Sequence, residues 1–166
     1  MPRTGGRLPL VAVAALAGCA ALGGVRPLYG PVPGSVTLQF NALPDAVTRA
    51  AAEEVQHAGL ALQWMSPAEG YVETQWFNVT TRVSTPDPDL RDLEHTVKIR
   101  VFADPTAGKT RFVAEAVTTY VVDPSRPQRE MERMTPEGHQ GREVLTQILD
   151  RLKRRFPAPD STRTTR

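Results

Sequence analysis

The sequence predicts an α+β fold: an antiparallel sheet of about five strands, in the order β-α-β-β-β-β-α, with two helices packed on one face. Three observations predict it. Period-two apolar stretches come in pairs around short turn-forming segments, which is the pattern of β-hairpins. One amphipathic helical stretch precedes those pairs and another follows them. Strands grouped as hairpins, rather than alternating with helices, build an antiparallel sheet, and such a sheet covers one face with its helices.

The elements follow in chain order. In "VTLQF", residues 36–40, Val36, Leu38 and Phe40 alternate with Thr37 and Gln39, as in a half-buried strand. In "LPDAVTRAAAEEVQHAGL", Pro44 and Asp45 suit a first helical turn and Gly59 a stop. Between them Val47, Ala51, Val55 and Ala58 share one helical face, while Arg49, Glu53, Glu54 and Gln56 fall mainly elsewhere. "LALQWMS" (60–66) and "YVETQWFNVTTRV" (71–83) flank the turn-former "PAEG", giving a first hairpin. "STPDPDLRDLE" reads as a loop. "HTVKIRVFA", with Val97, Ile99 and Val101 on one face, and "TRFVAEAVTTYVV" flank "DPTAGK", giving a second hairpin. Residues 123–137 are polar and proline-punctuated, a long connection. The last element is a helix whose stripe is Val144, Leu145, Ile148, Leu149, Leu152 and Phe156.

The amino terminus follows a different logic. Arg3 and Arg7 precede the uncharged run Leu8–Gly18, and Cys19, the one cysteine of the chain, ends it. A basic segment, an apolar segment and a small-residue processing site make an export signal. The run has 11 residues, whereas a membrane-spanning helix needs about 20, so it predicts a cleaved leader rather than a permanent span. Leu16-Ala17-Gly18-Cys19 resembles the lipobox of bacterial lipoproteins. That resemblance implies cleavage between Gly18 and Cys19, a diacylglyceryl group on the Cys19 thiol, and acylation of the new amino terminus. One acyl chain binds a membrane only marginally, so two or three make a durable anchor. The alanines after Cys19 resemble outer-membrane rather than inner-membrane sorting, which implies an anchor facing the periplasm. The domain plan is therefore a signal peptide at 1–18, a lipidated tether at 19–34 rich in Gly, Pro and small residues, one α+β domain at 35–156, and a disordered tail at 157–166.

Within the predicted domain, "A-A-x-x-V-x-x-A-G-L" leads into a strand and then "G-Y-V-E-T-Q-W-F". With the element order, this resembles the helix-grip domains of the C component of the outer-membrane β-barrel assembly machinery and of related small envelope lipoproteins. Gly70, Val72, Thr74 and Trp76 match the Gly-x-[Ile/Val]-x-Thr-x-Trp spacing. The resemblance implies a single helix-on-sheet domain with structural motif residues. It transfers no active site, because the motif residues are structural, and no partner, because the assembly component has two such domains and this chain has room for one.

Charge and motifs narrow the function. Removing residues 1–18 takes Arg3 and Arg7 with it and leaves 18 basic against 18 acidic residues, whereas nucleic-acid binders carry a basic excess. Arg151, Lys153, Arg154, Arg155, Arg163 and Arg166 crowd the carboxyl end, where cations suit a helix terminus; contact with anionic lipid or polymer is the sharper reading. His57, His95 and His139 stand in separate elements without metal-ligand spacing, and Glu53 and Glu54 are adjacent helix positions. Ser35, Ser66, Ser84, Ser125 and Ser161 sit by turns or tails with no nucleophile elbow. "TAGKT" at 106–110 lacks the first glycine of a phosphate-binding loop, and "NVT" at 78–80 is a sequon by chance. No catalytic residue, metal or cofactor is expected.

The remaining candidates are aromatic. Trp64, Tyr71, Trp76 and Phe77 cluster on the first hairpin, either as core or as a binding surface in a groove between helix and sheet. Two functions follow. The first is a non-catalytic envelope lipoprotein, held to the membrane through Cys19, whose domain binds or supports an envelope protein or polymer. The second is a carrier of a peptide, glycan or lipid, or a hydrolase with a site made only in three dimensions. A continuous face without a deep pocket favours the first; a pocket gathering polar groups around Trp64 or Trp76 favours the second.

Overall fold

In the computed structural model, residues 26–88 and 92–157 are described. The lipobox residues Leu16, Ala17, Gly18 and Cys19 lie outside them, as do Ser161, Arg163 and Arg166. The fold is α+β, with β1 (Val36–Phe40), α1 (Pro44–His57), β2 (Leu62–Ser66), β3 (Tyr71–Thr74), β4 (Trp76–Asn78), β5 (Val83–Thr85), β6 (Thr96–Thr106), β7 (Lys109–Thr119), β8 (Glu132–Met134) and α2 (Gln140–Arg155). All pairings are antiparallel, and the main sheet runs β1-β7-β6-β3-β2. The five expected strands form this path. Three short strands, β4, β5 and β8, are added to it.

Both helices start and stop where local chemistry directs. Pro44 opens α1, where its missing N–H costs nothing, and Gly59 follows the end with φ of +89°. His139 caps α2, its Nδ1 accepting from the Gly141 N–H. The apolar stripes of α1 and α2 enter one core, where Val47, Ala51, Val55, Leu145, Ile148 and Leu152 meet Val72, Val97, Ile99, Val101, Phe112 and Ala114 of the sheet. Val144 and Phe156 pack against its margin.

The hairpin turns set the register. Ala107 and Gly108, both with positive φ, join β6 to β7 in a two-residue turn, so that Thr106 pairs with Lys109 and, further back, Arg100 with Glu115. Gly70 ends the β2–β3 turn with φ of +64°, and a Cβ there would sit 1.9 Å from the Ala103 carbonyl oxygen. Only glycine fits so close a backbone approach.

Two expectations are corrected. Residues 71–83 are not one strand. β3 pairs with β6 as Glu73↔Arg100, but β4 pairs as Phe77↔Val97, so one extra residue is accommodated between them. Such a bulge reverses the facing of everything after it. Val72 and Thr74 point to the helices, Trp76 turns to the opposite face, and Phe77 takes the place in the helix-side core. Nor is 123–137 merely a connection. It holds a 3-10 turn (Gln128–Met131) and β8, which pairs with Val117–Thr119 on the edge of β7 that β1 covers only as far as Ala114. The free backbone of β7 needs a partner there.

The tether expectation also changes. The chain is held to the domain from Arg26, not from Ser35. Arg26 pairs with Asp104 at 2.6 Å, and Val32 packs with Trp76 and Val117. Gly- and Pro-rich chain has no helical or strand period, but its backbone still donates and accepts hydrogen bonds, and these fasten the segment together with the Arg26 ion pair and Val32 packing.

Candidate functional site

Opposite the helices, the sheet carries charge. Alternation on β3, β6 and β7 sends Tyr71 and Glu73, Lys98 and Arg100, and Glu115 and Val117 away from α1 and α2, because their neighbours Val72, Ile99, Ala114 and Ala116 fill the helix-side core. β8 and the 3-10 turn bring Glu132 and Arg129 beside them. The segment 26–34, which we term the strap, lies over this face.

The result is a closed ionic network of Lys98, Arg100 and Arg129 with Glu73, Glu115 and Glu132. Arg100 is its hub. Its Nε donates to Glu73 at 2.9 Å, its Nη1 to Glu115 at 3.1 Å, and its two Nη atoms grip Glu132 in a fork at 2.6 and 2.9 Å. Lys98 Nζ reaches the other Glu73 oxygen at 2.8 Å. Arg129 joins Glu115 at 2.8 Å and Glu132 at 3.1 Å. Three positive and three negative groups cancel. Arg100 is only 3% exposed and Glu115 not at all.

The strap completes the set. The Val32 N–H donates to Glu115 at 2.7 Å, and the Gly30 carbonyl accepts from Arg129 at 2.6 Å. The Tyr29 ring lies under both guanidinium groups, 4.5 Å from Arg129 and 5.6 Å from Arg100. These cation–π contacts join strap to network on its outer side.

Titration follows from these contacts. Burial pushes the Glu73 carboxyl up, but Arg100 and Lys98 more than reverse it and hold it below the ordinary carboxylate value. Burial and then the adjacent carboxylate drive the Tyr71 phenol, which donates to Glu73, far above its ordinary value. Burial pulls against the Arg100 charge, yet Glu132 and Glu73 raise its pKa overall. At neutral pH these groups therefore keep fixed charge states.

The aromatic candidates divide. Trp64 pairs with Glu73 across β2–β3 and stands 41% exposed on the strap face. With Pro27, Tyr29, Tyr71 and Glu73 it lines a cleft of about 140 Å³. Trp76 shares this face but is buried under Val32, with Lys98 Nζ 5.0 Å from its ring centroid and its indole N–H unpartnered. Phe77 is on the helix side and cannot belong to the same surface. The structure thus brings Trp64 and Tyr71 together and removes Phe77.

The histidines stay apart. His57 is exposed near Glu54, His95 Nδ1 lies 2.6 Å from Asp92, and His139 caps α2 while its Nε2 meets the Glu94 carbonyl. Hydrogen bonding to Asp92 raises the His95 pKa, and the same contact lowers that of Asp92. A cleft of about 360 Å³ runs past Thr118, Tyr120, Arg133 and His139 at this end of the sheet. Among the described residues, no three His, Cys, Asp or Glu side chains are placed to hold a metal ion, and no helix is long and apolar enough to cross a membrane.

The ionic network escaped the sequence reading, although a signal for it exists. Counting back from a two-residue turn at Ala107-Gly108 pairs Arg100 with Glu115, opposite charges at the centre of a hairpin whose flanking residues are apolar. Compared with models of known protein families and with curated proteins, the chain matches none.

Proposed function

We propose that this protein is a lipid-anchored component of a bacterial envelope, carried on acyl chains at Cys19, whose α+β domain is a non-catalytic module that binds or supports an envelope protein or polymer. The observation that carries the reading is Leu16-Ala17-Gly18-Cys19 at the end of an 11-residue uncharged run behind Arg3 and Arg7. The strap adds a spatial consequence. Cys19 and Arg26 are seven positions apart, and a fully extended chain of that length spans at most about 25 Å. The anchor and the domain are on a short leash, as suits a protein working at a membrane rather than reaching from it. The anchor's orientation, at the outer membrane and facing the periplasm, belongs to the same proposal.

Two features of the domain support a binding role over catalysis. The buried charges are consumed by one another, and the cleft beside Trp64, about 140 Å³, falls short of the roughly 300 Å³ at which small-ligand sites begin. The cleft past Thr118, Tyr120, Arg133 and His139, about 360 Å³, keeps the carrier reading open. The helix-grip resemblance is part of the same reading: Gly70 makes the turn, Val72 and Thr74 face the helices, and Trp76 follows the bulge, all of them structural positions.

Intact mass and membrane fractionation of the wild type beside Cys19→Ala, expressed in a Gram-negative host, test the proposal. A mass lacking residues 1–18 and carrying acyl chains, with the variant unlipidated, supports it. An unprocessed, soluble wild type overturns it.

A further inference from the structure

The strap is fastened by its inner side, and its outer side has a different chemistry. Arg26 at its start is paired with Asp104, and from Pro27 to Gly34 it bears no charged side chain. Leu28 is fully exposed, Tyr29 is 37% exposed, and Pro31 and Pro33 are exposed as well. Trp64, at the rim of the cleft shared with Pro27 and Tyr29, extends this uncharged surface onto β2. Beneath it the network leaves no net charge.

We infer that this strap surface, with Trp64, rests in the headgroup layer of the bilayer that holds the acylated Cys19. The inference deepens the lipid-anchor reading and depends on it. Three observations point to lipid as the occupant. The strap begins within seven positions of Cys19, so its start cannot lie more than about 25 Å from the anchor. Its exposed side chains are a leucine, prolines and two aromatics with polar tips, the Trp and Tyr that membrane interfaces favour. The opposite side of the molecule, by contrast, exposes charge: Arg49, Glu53, Lys153 and Arg155 project from α1 and α2. Placing strap rather than helices on the lipid leaves those charges in water.

The test uses tryptophan fluorescence. The processed, acylated chain is reconstituted into phosphatidylethanolamine–phosphatidylglycerol vesicles with brominated acyl chains, which quench indoles that reach them. Trp76, buried against Val32 and Val117, serves as an internal reference. The expected result is strong quenching of the wild type that is lost in Trp64→Phe. Leu28→Asp is expected to weaken it while flotation with the vesicles is unchanged. Both substituted side chains are exposed, so the variants keep the buried Trp76 emission that reports folding. If the acylated protein floats with the vesicles but Trp64 is unquenched, and as open to iodide as in Cys19→Ala, the docking inference fails and the anchor stands. Crosslinking of the strap to an envelope protein with Trp64 unquenched overturns it in favour of a protein partner. If the chain carries no acyl groups and does not float, the anchor itself is wrong and the inference falls with it.

Discussion

The two faces of the sheet are built by the same strands and held by different forces. Ile99 and Arg100 are neighbours on β6, both almost fully buried. Ile99 is buried among side chains of two helices, and any apolar side chain of suitable shape could fill its place. Arg100 is buried among three carboxylates, each donor matched to an acceptor. The apolar face is tolerant because dispersion and water exclusion are not directional. The charged face is exacting, because a desolvated charge without its partner costs several kcal/mol. The helix side therefore supplies bulk stability, and the strap side specifies which chain segments close over it.

The largest effect should come from removing the hub. Arg100→Met is expected to cost about 3–5 kcal/mol, because it leaves three buried carboxylates with Lys98 and Arg129 alone, whereas Ile99→Val should cost about 1 kcal/mol. Chemical denaturation of the two variants checks this. Equal, small losses would show that the charged face is not specific.

The same contrast appears on acidification. Because the Glu73 pKa is lowered in the folded state, its contribution is complete above the ordinary value of 4.5 and is lost as pH falls through the lower folded value. Stability measured against pH should therefore fall more steeply between the ordinary value and the lower folded value in the wild type than in Glu73→Gln. An identical acid limb in both proteins would remove Glu73 from the network's energetics.

Loosening the strap is a smaller perturbation. Val32→Ala removes two methyl groups' worth of burial, about 1.5 kcal/mol, and is expected to speed proteolysis before Ser35 and amide exchange at Val32, whose N–H is bonded to Glu115. Unchanged exchange would mean that the backbone bonds alone hold the strap. The smallest effect belongs to Arg155→Ala. It breaks an exposed pair with Glu53 between the helices and should leave the thermal midpoint where it is.

What was legible before folding is what local chemistry decides. The stripe Leu145, Ile148, Leu149 and Leu152, Pro44 at the start of α1, and the turns at 67–70 and 107–108 each depend on residues within a few positions of one another. By themselves they determined the helices, the hairpins and the α+β class. The lipobox likewise is a local motif, and its meaning depends on processing rather than on the fold.

Tertiary structure decided the rest. The bulge between Thr74 and Phe77 depends on how β6, some twenty residues later in the chain, is shared by β3 and β4. It moved Phe77 out of the aromatic surface that the hairpin sequence suggested. The strap, with no periodicity of its own, is held by partners far along the chain: Glu115 and Arg129, 83 and 99 positions from the groups they bind, take its N–H and carbonyl, and Asp104 and Trp76 take Arg26 and Val32. Charged side chains in alternation read locally as a solvated face. Burial turned them into a network, since out of water each charge must find its partner, and only the folded chain brings those partners together.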